Sequence, residues 1–365
     1  MERYRVAQVG CGVRGDIHLH GFTNNPDRFE MVGLCDMNTE RLDAIAGKYG
    51  ITAKYSDAET MLRETKPDIF CFITLPHGRQ SFVELGISHG VKGIAFEKPM
   101  ATALTEARSI LKLCETNGIK AVVSHQQKYL PAMQKMKSIM DAGDIGEIET
   151  IHVKAVSWYS QLGTHLVDYA LWMGGAHALW AVGHTHGRTK LTDSHPSTDY
   201  LMGQIALENG IRVIFESGYC APRRMMPENV FWTNNRLTAY GTHGYAWAET
   251  DGRWGAFTRN SGGRIGGVFK PWVDSHYEIQ TPYLKEFADW MDDDAKVHSC
   301  TVATAYHGYE IVEGMCFSAL DNTRVDFPMK DIDRTDVLTR AAAEVPETPM
   351  SSGFDTNTKT WSIPR

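Results

Sequence analysis

Up to residue 124 the chain repeats one pattern: a short apolar run, a turn, then a stretch in which apolar positions recur every three to four residues. Residues 5–9, 30–35, 53–55, 93–96 and 120–124 read as strands. Residues 39–49, 59–65, 79–89 and 105–117 read as helices. Residues 67–74, Pro-Asp-Ile-Phe-Cys-Phe-Ile-Thr, are apolar almost throughout, the mark of a strand covered on both faces. Alternating strand and helix with short links predicts a doubly wound parallel sheet of α/β class, with helices on both faces.

The pattern changes after a helix at about 131–142. Strands are predicted at 148–156, 179–185, 201–207, 212–218 and 236–240, with one helix among them at about 163–173. Successive strands without intervening helices imply a large, mostly antiparallel sheet in a second α/β domain. Residues 245–272, rich in Gly, Arg and Trp, are expected to form a long loop or hairpin, followed by helices at 281–292 and 301–320. Residues 331–365, with Pro346, Pro349 and Pro364, read as an arm or tail. The expected division is 1–124, 125–330 and 331–365.

The strand at 5–9 runs directly into Gly10-Cys11-Gly12-Val13-Arg14-Gly15. This is the Gly-x-Gly-x-x-Gly fingerprint of dinucleotide binding: the first glycine makes the turn, the second admits the pyrophosphate, and the third lets the helix pack close. The second strand ends in Asp36, about 20 residues beyond the fingerprint, where a carboxylate accepts hydrogen bonds from ribose hydroxyls. The residues directly after it, Met37-Asn38, include no arginine to hold a 2′-phosphate, which favours NAD over NADP.

Composition narrows the setting. A length of 365 residues points to two domains, and 42% hydrophobic with 22% charged residues fits a globular enzyme. A net charge of −7 lacks the basic footprint that nucleic acid requires, and no apolar run is long enough to span a bilayer. The first strand starts so near Met1 that no signal peptide is expected. Seven cysteines without a C-x-x-C pair suggest buried thiols in a reducing cytoplasm, with neither a disulfide framework nor a metal site. His184 and His186 share a strand face, but no third ligand accompanies them.

Two further stretches carry candidate chemistry. The strand at 93–96 delivers Glu97-Lys98-Pro99 to the carboxyl edge of the sheet, where such folds bind ligands. Lys98 is placed to act as a base beside a nicotinamide, and Pro99 restricts its backbone and permits a cis bond. In the helix at 163–173, Gln161, His165, Asp168 and Trp172 fall on one stripe at i, i+4, i+7 and i+11, beside an apolar stripe. His165 could share a substrate hydroxyl proton and Asp168 could orient it or hold another hydroxyl. Tyr159 is a candidate hydroxyl donor. Trp247, Trp254 and Trp272, with Arg253 and Arg264, could stack on sugar rings or pack within the protein.

These residues together resemble the Gfo/Idh/MocA oxidoreductases, typified by glucose–fructose oxidoreductase and inositol dehydrogenases. The resemblance runs over roughly residues 4–320. It rests on the fingerprint, Asp36, the Pro76-His77 turn, Glu97-Lys98-Pro99, His125 through Tyr129-Leu130-Pro131, the turn at 143–148, and His165-Leu166-Val167-Asp168. It implies a Rossmann domain followed by an α/β domain with a large open sheet through which homo-oligomers, dimers or tetramers, assemble. It also implies hydride transfer between NAD(P) and a carbohydrate. Lys98 matches the catalytic lysine, His165 the catalytic histidine and Asp168 a substrate-binding aspartate. Gly10, Gly12, Val13, Arg14, Gly15, Asp36, Pro76, His77, Glu97, Lys98 and Gln126 match cofactor-binding positions. One departure stands out: inositol-dehydrogenase-like members carry Asp four residues before the histidine, and this chain has Gln161. Glutamine binds a hydroxyl but takes no proton. The expected activity is NAD-dependent oxidation of a secondary hydroxyl of a sugar, glycoside or cyclitol. A redox-assisted glycosidase or lyase without net NADH, and a non-catalytic NAD-binding regulator, are the alternatives.

Overall fold

The computed structural model describes residues 3–157, 159–188, 198–218, 221, 235–330, 332, 337–347, 354–355 and 360–361. They pack as two compact units, one of residues 1–129 with 274–306, the other of 130–273 with 307–365. The three linear segments expected from the sequence differ from this interleaved packing, since 274–306 belongs with the first unit.

In the first unit β1 (Tyr4–Val9), α1 (Val13–Thr23), β2 (Phe29–Cys35), α2 (Thr39–Tyr49), β3 (Lys54–Tyr55), α3 (Ala58–Thr65), β4 (Ile69–Phe72), α4 (Arg79–Ser88), β5 (Gly93–Phe96), α5 (Leu104–Thr116) and β6 (Lys120–Val123) alternate. The six strands form one parallel sheet in the order β3-β2-β1-β4-β5-β6. The strand order reverses between β1 and β4, and doubly wound folds bind ligands at the carboxyl edge of that point. Local chemistry sets the helix starts: Asn38 Oδ1 accepts from the Arg41 amide at 2.9 Å and Asp57 Oδ1 from the Thr60 amide at 2.8 Å. Four phenylalanines, Phe70, Phe72, Phe82 and Phe96, are in ring contact on and beside β4 and β5.

The late segment joins this unit because one face of its helix is apolar. Further along the chain, Tyr283, Leu284, Phe287 and Ala288 are buried against Val6, Ile69, Ala95 and Val122 of the sheet. Burying a side chain of this size contributes about 1.5–3 kcal/mol.

The second unit opens with α6 (Pro131–Asp141), β7 (Ile148–Ala155), a π turn (Tyr159–Gly163) and α7 (Thr164–Gly174). There follow β8 (Ala178–His186), β9 (Tyr200–Leu207), β10 (Arg212–Gly218), β11 (Asn235–Gly241), β12 (Gly244–Ala248), β13 (Arg253–Phe257) and β14 (Arg264–Val268). Then come α8 (Trp272–Ser275), α9 (Gln280–Asp292), α10 (Val302–Asp321), β15 (Val325–Asp326) and α11 (Val337–Glu344). Of these, α9 is the late helix of the first unit. Nine strands pair in the order β14-β13-β12-β11-β7-β10-β9-β8-β15. Only β7 and β10 run parallel, so the sheet is mostly antiparallel.

The region expected to be a loop or single hairpin at 245–272 instead extends the sheet by three strands. Its glycines face neighbouring strands: Trp247 pairs with Gly255, and Gly255 with Gly266, so bulky rings alternate with residues that leave them room. Two short strands, β16 (Phe354–Asp355) and β17 (Thr360–Trp361), pair with one another within the expected tail. No helix among the described residues is long and apolar enough to cross a membrane.

Candidate active site

The turn from β1 into α1 has the shape of an anion cradle. Gly10 lies at φ 93°, and a Cβ there would sit 2.3 Å from the Ile73 carbonyl oxygen. A Cβ on Gly15 would sit 2.0 Å from the Gly10 carbonyl oxygen, so α1 packs this closely only with glycine. Gly12 differs: a Cβ there would meet only Arg41 Nη1, at 3.8 Å, so its position faces open space. Gly12 is also the N-cap of α1, and no side chain caps that end. A helix N-terminus with uncapped amides and partial positive charge beside an open glycine fits a dinucleotide pyrophosphate.

Asp36 closes one side of the cradle. Its Oδ2 accepts from the Cys11 amide and its Oδ1 from the Asn38 amide, both at 2.8 Å, while Arg41 Nη1 stands 3.7 Å away. Each carboxylate oxygen retains a lone pair for a ribose hydroxyl. The first turn of α2 thus returns a cation to Asp36, although none follows it directly in sequence. The argument against NADP from a missing arginine is corrected accordingly.

At the end of β5 the buried Glu97 is a hub. Its Oε1 accepts from Arg14 Nη2 at 2.8 Å, Arg14 Nε at 3.2 Å and His18 Nε2 at 3.0 Å. Burial would raise the Glu97 carboxyl, but Arg14, His18 and Lys98 outweigh it and hold it well below the usual range. His18 is itself pushed down, by burial first and by Arg14 in addition, against the pull of Glu97. It therefore donates to Glu97 as a neutral ring, and its Nδ1 accepts from Gln280 Nε2 at 3.1 Å. With its amide oriented to satisfy both ends, Gln126 donates to Ser124 and accepts from Arg14.

Lys98 follows, and its bond to Pro99 is cis. The loop that carries it is clamped by Arg79, buried at the start of α4. Arg79 donates to the carbonyl oxygens of Glu97 and Pro99, on either side of Lys98, and to that of Thr74 at 2.9 Å. Its guanidinium lies 5.9 Å from the Phe96 ring centre. Burial lowers its pKa to about 10, against the raising effect of Glu97 and Glu106, so it stays charged at neutral pH.

In the second unit, His165, Asp168 and Tyr169 of α7 are all buried. His165 Nδ1 lies 2.8 Å from the Tyr169 hydroxyl one helical turn on. The π turn before α7 breaks the α-helical phase on which the stripe from Gln161 to Trp172 was predicted, so Gln161 does not stand one α-turn below His165. The Gln161 side chain lies outside the described residues. Trp172 is partly exposed, with Lys137 Nζ 5.8 Å from its ring centre.

Residues 4–125 match the family described as "Oxidoreductase family, NAD-binding Rossmann fold". Over those residues the chain is similar to the Gfo/Idh/MocA oxidoreductases. A D-apiose dehydrogenase of Paraburkholderia graminis is 34% identical over 146 residues, which is 40% of this chain and 38% of that protein. An inositol 2-dehydrogenase of Salmonella typhimurium is 27% identical over 146 residues, 40% of this chain and 43% of that protein. The chain spans about two fifths of the length of these curated relatives. An oxidoreductase from Agrobacterium radiobacter, solved with NAD+, L-tartaric acid and magnesium, shares the fold. Its TM-score is 0.75 at 19% identity, covering 89% of this chain and 98% of that one.

Within the first unit the structure brings together Gly10, Gly12, Gly15 and Asp36, and separately Arg14, Glu97 and Gln126. Val13 is exposed at the first turn of α1, Pro76 is buried and His77 exposed in the loop before α4. In the second unit Tyr159 is fully buried, and its hydroxyl accepts from the Thr198 amide at 3.2 Å. Trp247 lies under the Arg236 guanidinium at 4.2 Å, and Arg253 pairs with Glu249 and Asp251. Sequence reasoning missed Arg79, His18 and Tyr169. Arg79 carried a signal: a cation in the first turn of a helix opposes the helix dipole, so it needed another partner.

Proposed function

We propose that this chain is an NAD-dependent dehydrogenase that oxidises a secondary hydroxyl of a sugar, glycoside or cyclitol. The observation that carries the reading is the open, uncapped cradle at Gly12 with Asp36 beside it, next to a lysine loop clamped by a buried arginine. The two relatives named as carbohydrate dehydrogenases support the substrate class.

Gly10 and Gly12 would leave room for the pyrophosphate, the Val13 and Arg14 amides at the uncapped start of α1 would hold it, and the Arg14 side chain and Gly15 keep α1 in place. Asp36 takes the adenosine ribose hydroxyls, which favours NAD over NADP even with Arg41 at hand. Pro76 and His77 form the loop on one side of the dinucleotide, and Glu97 and Gln126 hold Arg14 on the other. NAD, when bound, accepts a hydride from the carbinol carbon. His165, aided by Lys98, takes the hydroxyl proton, while Asp168, Gln161 and Trp172 contact the remaining hydroxyls and ring.

The experiment is a coupled search: purified protein with NAD and D-apiose, myo-inositol, free aldoses and methyl glycosides, followed by NADH absorbance and by product analysis. Stoichiometric NADH with intact glycosidic bonds is expected. Cleaved glycoside with no NADH would move the reading to redox-assisted glycoside cleavage. Tight NAD binding with no turnover of any sugar would move it to a regulator.

We further propose that the exposed face of the nine-stranded sheet joins copies of the chain. Val182, Met202, Tyr240 and Phe257 are large apolar side chains exposed along four of its strands. Analytical ultracentrifugation of Met202→Lys, against a dimeric or tetrameric parent, tests it. A monomeric parent would end the proposal.

A further inference from the structure

We propose that Tyr169 is a positioning residue that selects the tautomer of His165, holding the proton on Nδ1 and leaving Nε2 as the atom that takes the substrate proton. The proposal rests on the reading of His165 as the base. An imidazole that accepts a proton at Nε2 must, while neutral, carry its hydrogen on Nδ1. In a buried site that hydrogen needs an acceptor, because an unsatisfied buried N–H is costly. The Tyr169 hydroxyl is 2.8 Å from Nδ1, on the same helix face one turn away, and both residues are buried. Helix geometry itself fixes this pair, since side chains at i and i+4 lie over one another.

The choice of partner sets the chemistry. A carboxylate at Nδ1 would stabilise the imidazolium by its full charge and raise the pH at which His165 loses its proton. A hydroxyl orients the ring without that charge. It accepts from Nδ1–H in the neutral ring and continues to accept when Nε2 is protonated. In the forward step the O–H bond of the substrate breaks, Nε2–H forms and the positive charge stays on the ring. Tyr169 keeps its own proton throughout, so it contributes orientation and tautomer selection and no proton. In the reverse step the Nε2 proton returns to oxygen by the same path.

The test needs no substrate for its first arm. In protein labelled with 15N-histidine, with the His165 resonances assigned by their loss in His165→Gln, the ring nitrogen shifts report the tautomer directly. The wild type is expected to show a protonated Nδ1 and an unprotonated Nε2 at neutral pH. Tyr169→Phe is expected to shift the ring toward the Nε2–H form and to move its titration midpoint. A wild-type ring that is already Nε2–H overturns the proposal, whatever the variant does to folding. Unchanged His165 shifts and titration in Tyr169→Phe overturn it too.

The second arm is kinetic, with whichever of D-apiose, myo-inositol or a methyl glucoside the wild type oxidises. Tyr169→Phe should lower kcat roughly five- to tenfold, the value of one neutral hydrogen bond, with KM little changed. Adding Tyr169→Phe to His165→Ala should cause no further loss. Additive losses would place Tyr169 outside the action of His165. Full activity in His165→Ala would instead refute the role of His165, and the two failures are thereby told apart.

Discussion

Replacing Arg79 by methionine removes three hydrogen bonds, two of which clamp the lysine loop, while keeping most of the side-chain volume. The carbonyls of Glu97, Pro99 and Thr74 would then lose their donor. A buried acceptor left without a partner costs about 1–3 kcal/mol, so three could reach several kcal/mol. Release of the buried guanidinium from its own desolvation works in the opposite direction, since burial already lowers its pKa to about 10. Taken together, a net loss of about 3–5 kcal/mol is expected, as when one partner of a buried charged set is removed. That is a large part of the ~5–15 kcal/mol that holds a typical domain folded. The assay is urea denaturation followed by tryptophan fluorescence, with NAD affinity and kcat measured well below the transition. The midpoint should fall without a change in slope. The folded fraction should bind NAD but turn over slowly, because the peptide units flanking Lys98 are no longer held. Arg79→Lys should recover only part of this, since one ammonium lacks the planar fork that reaches several carbonyls at once. An unchanged midpoint together with unchanged kcat in Arg79→Met would refute the clamp.

Asp36→Ala should weaken NAD binding by up to about 1.5–3 kcal/mol for each charge-assisted hydrogen bond removed and raise the relative use of NADP, with Arg41 left to meet a 2′-phosphate. Cofactor Kd values for both dinucleotides check it, and equal use of the two by the wild type would refute the assignment. Lys98→Met and His165→Ala should each leave NAD binding near the wild-type value and reduce kcat by about 10² or more; wild-type rates in both would place the chemistry elsewhere. Acidification should destabilise the first unit in two successive windows. The folded pKa of His18 lies below its unfolded value, so below about pH 6.5 the unfolded chain binds a proton that the fold refuses, with a slope of up to ~1.4 kcal/mol per pH unit. Glu97 is held low, so its contribution is present above about pH 4.3 and is lost as pH falls further. His18→Gln, which keeps an N–H donor to Glu97, should shrink the upper window and leave the part due to His20, which burial and Lys48 also hold low; an unchanged pH dependence of the melting temperature there would refute the assignment to His18.

The parallel half was legible because its strands are short apolar runs with turn residues between them. Residues 39–49 and 93–96 agree with the structure to the residue, and so does the strand at 212–218 of the second sheet. Residues 245–272 were not legible. Their strands, Gly-Tyr-Ala-Trp-Ala, Arg-Trp-Gly-Ala-Phe and Arg-Ile-Gly-Gly-Val, mix aromatic and arginine side chains with glycine and alanine, a composition that fits a loop until paired neighbours supply the missing side-chain packing. The glycine cradle and Asp36 could be placed from spacing because a helix turn and a strand end fix them locally. Arg79, His18 and Gln280 could not, since their partners lie up to 262 positions away and depend on which elements pack together. The π turn at 159–163 shifts Gln161 off the α-helical phase, while His165, Asp168 and Trp172 keep their predicted spacing on α7.

The network around Glu97 has a consequence for how the first unit would work. Arg14 belongs to the fingerprint, His18 to the next turn of α1, Gln126 to the turn after β6 and Gln280 to α9. Each bears on Glu97 directly or through one intermediate. Glu97 is the residue before Lys98, and its backbone carbonyl is held by Arg79. The helix that would carry the pyrophosphate and the loop that carries the lysine are therefore tied through one buried carboxylate. Displacing α1 would pull on the carboxylate beside the lysine loop, and removing the carboxylate would leave the half-buried Arg14 guanidinium and the buried His18 imidazole without their shared acceptor. Substitutions at Arg14 and Lys98 should accordingly be non-additive in kcat, although neither side chain needs to touch the other. Strict additivity in a double-mutant cycle would mean that the cradle and the lysine loop are set independently, with Glu97 serving packing alone.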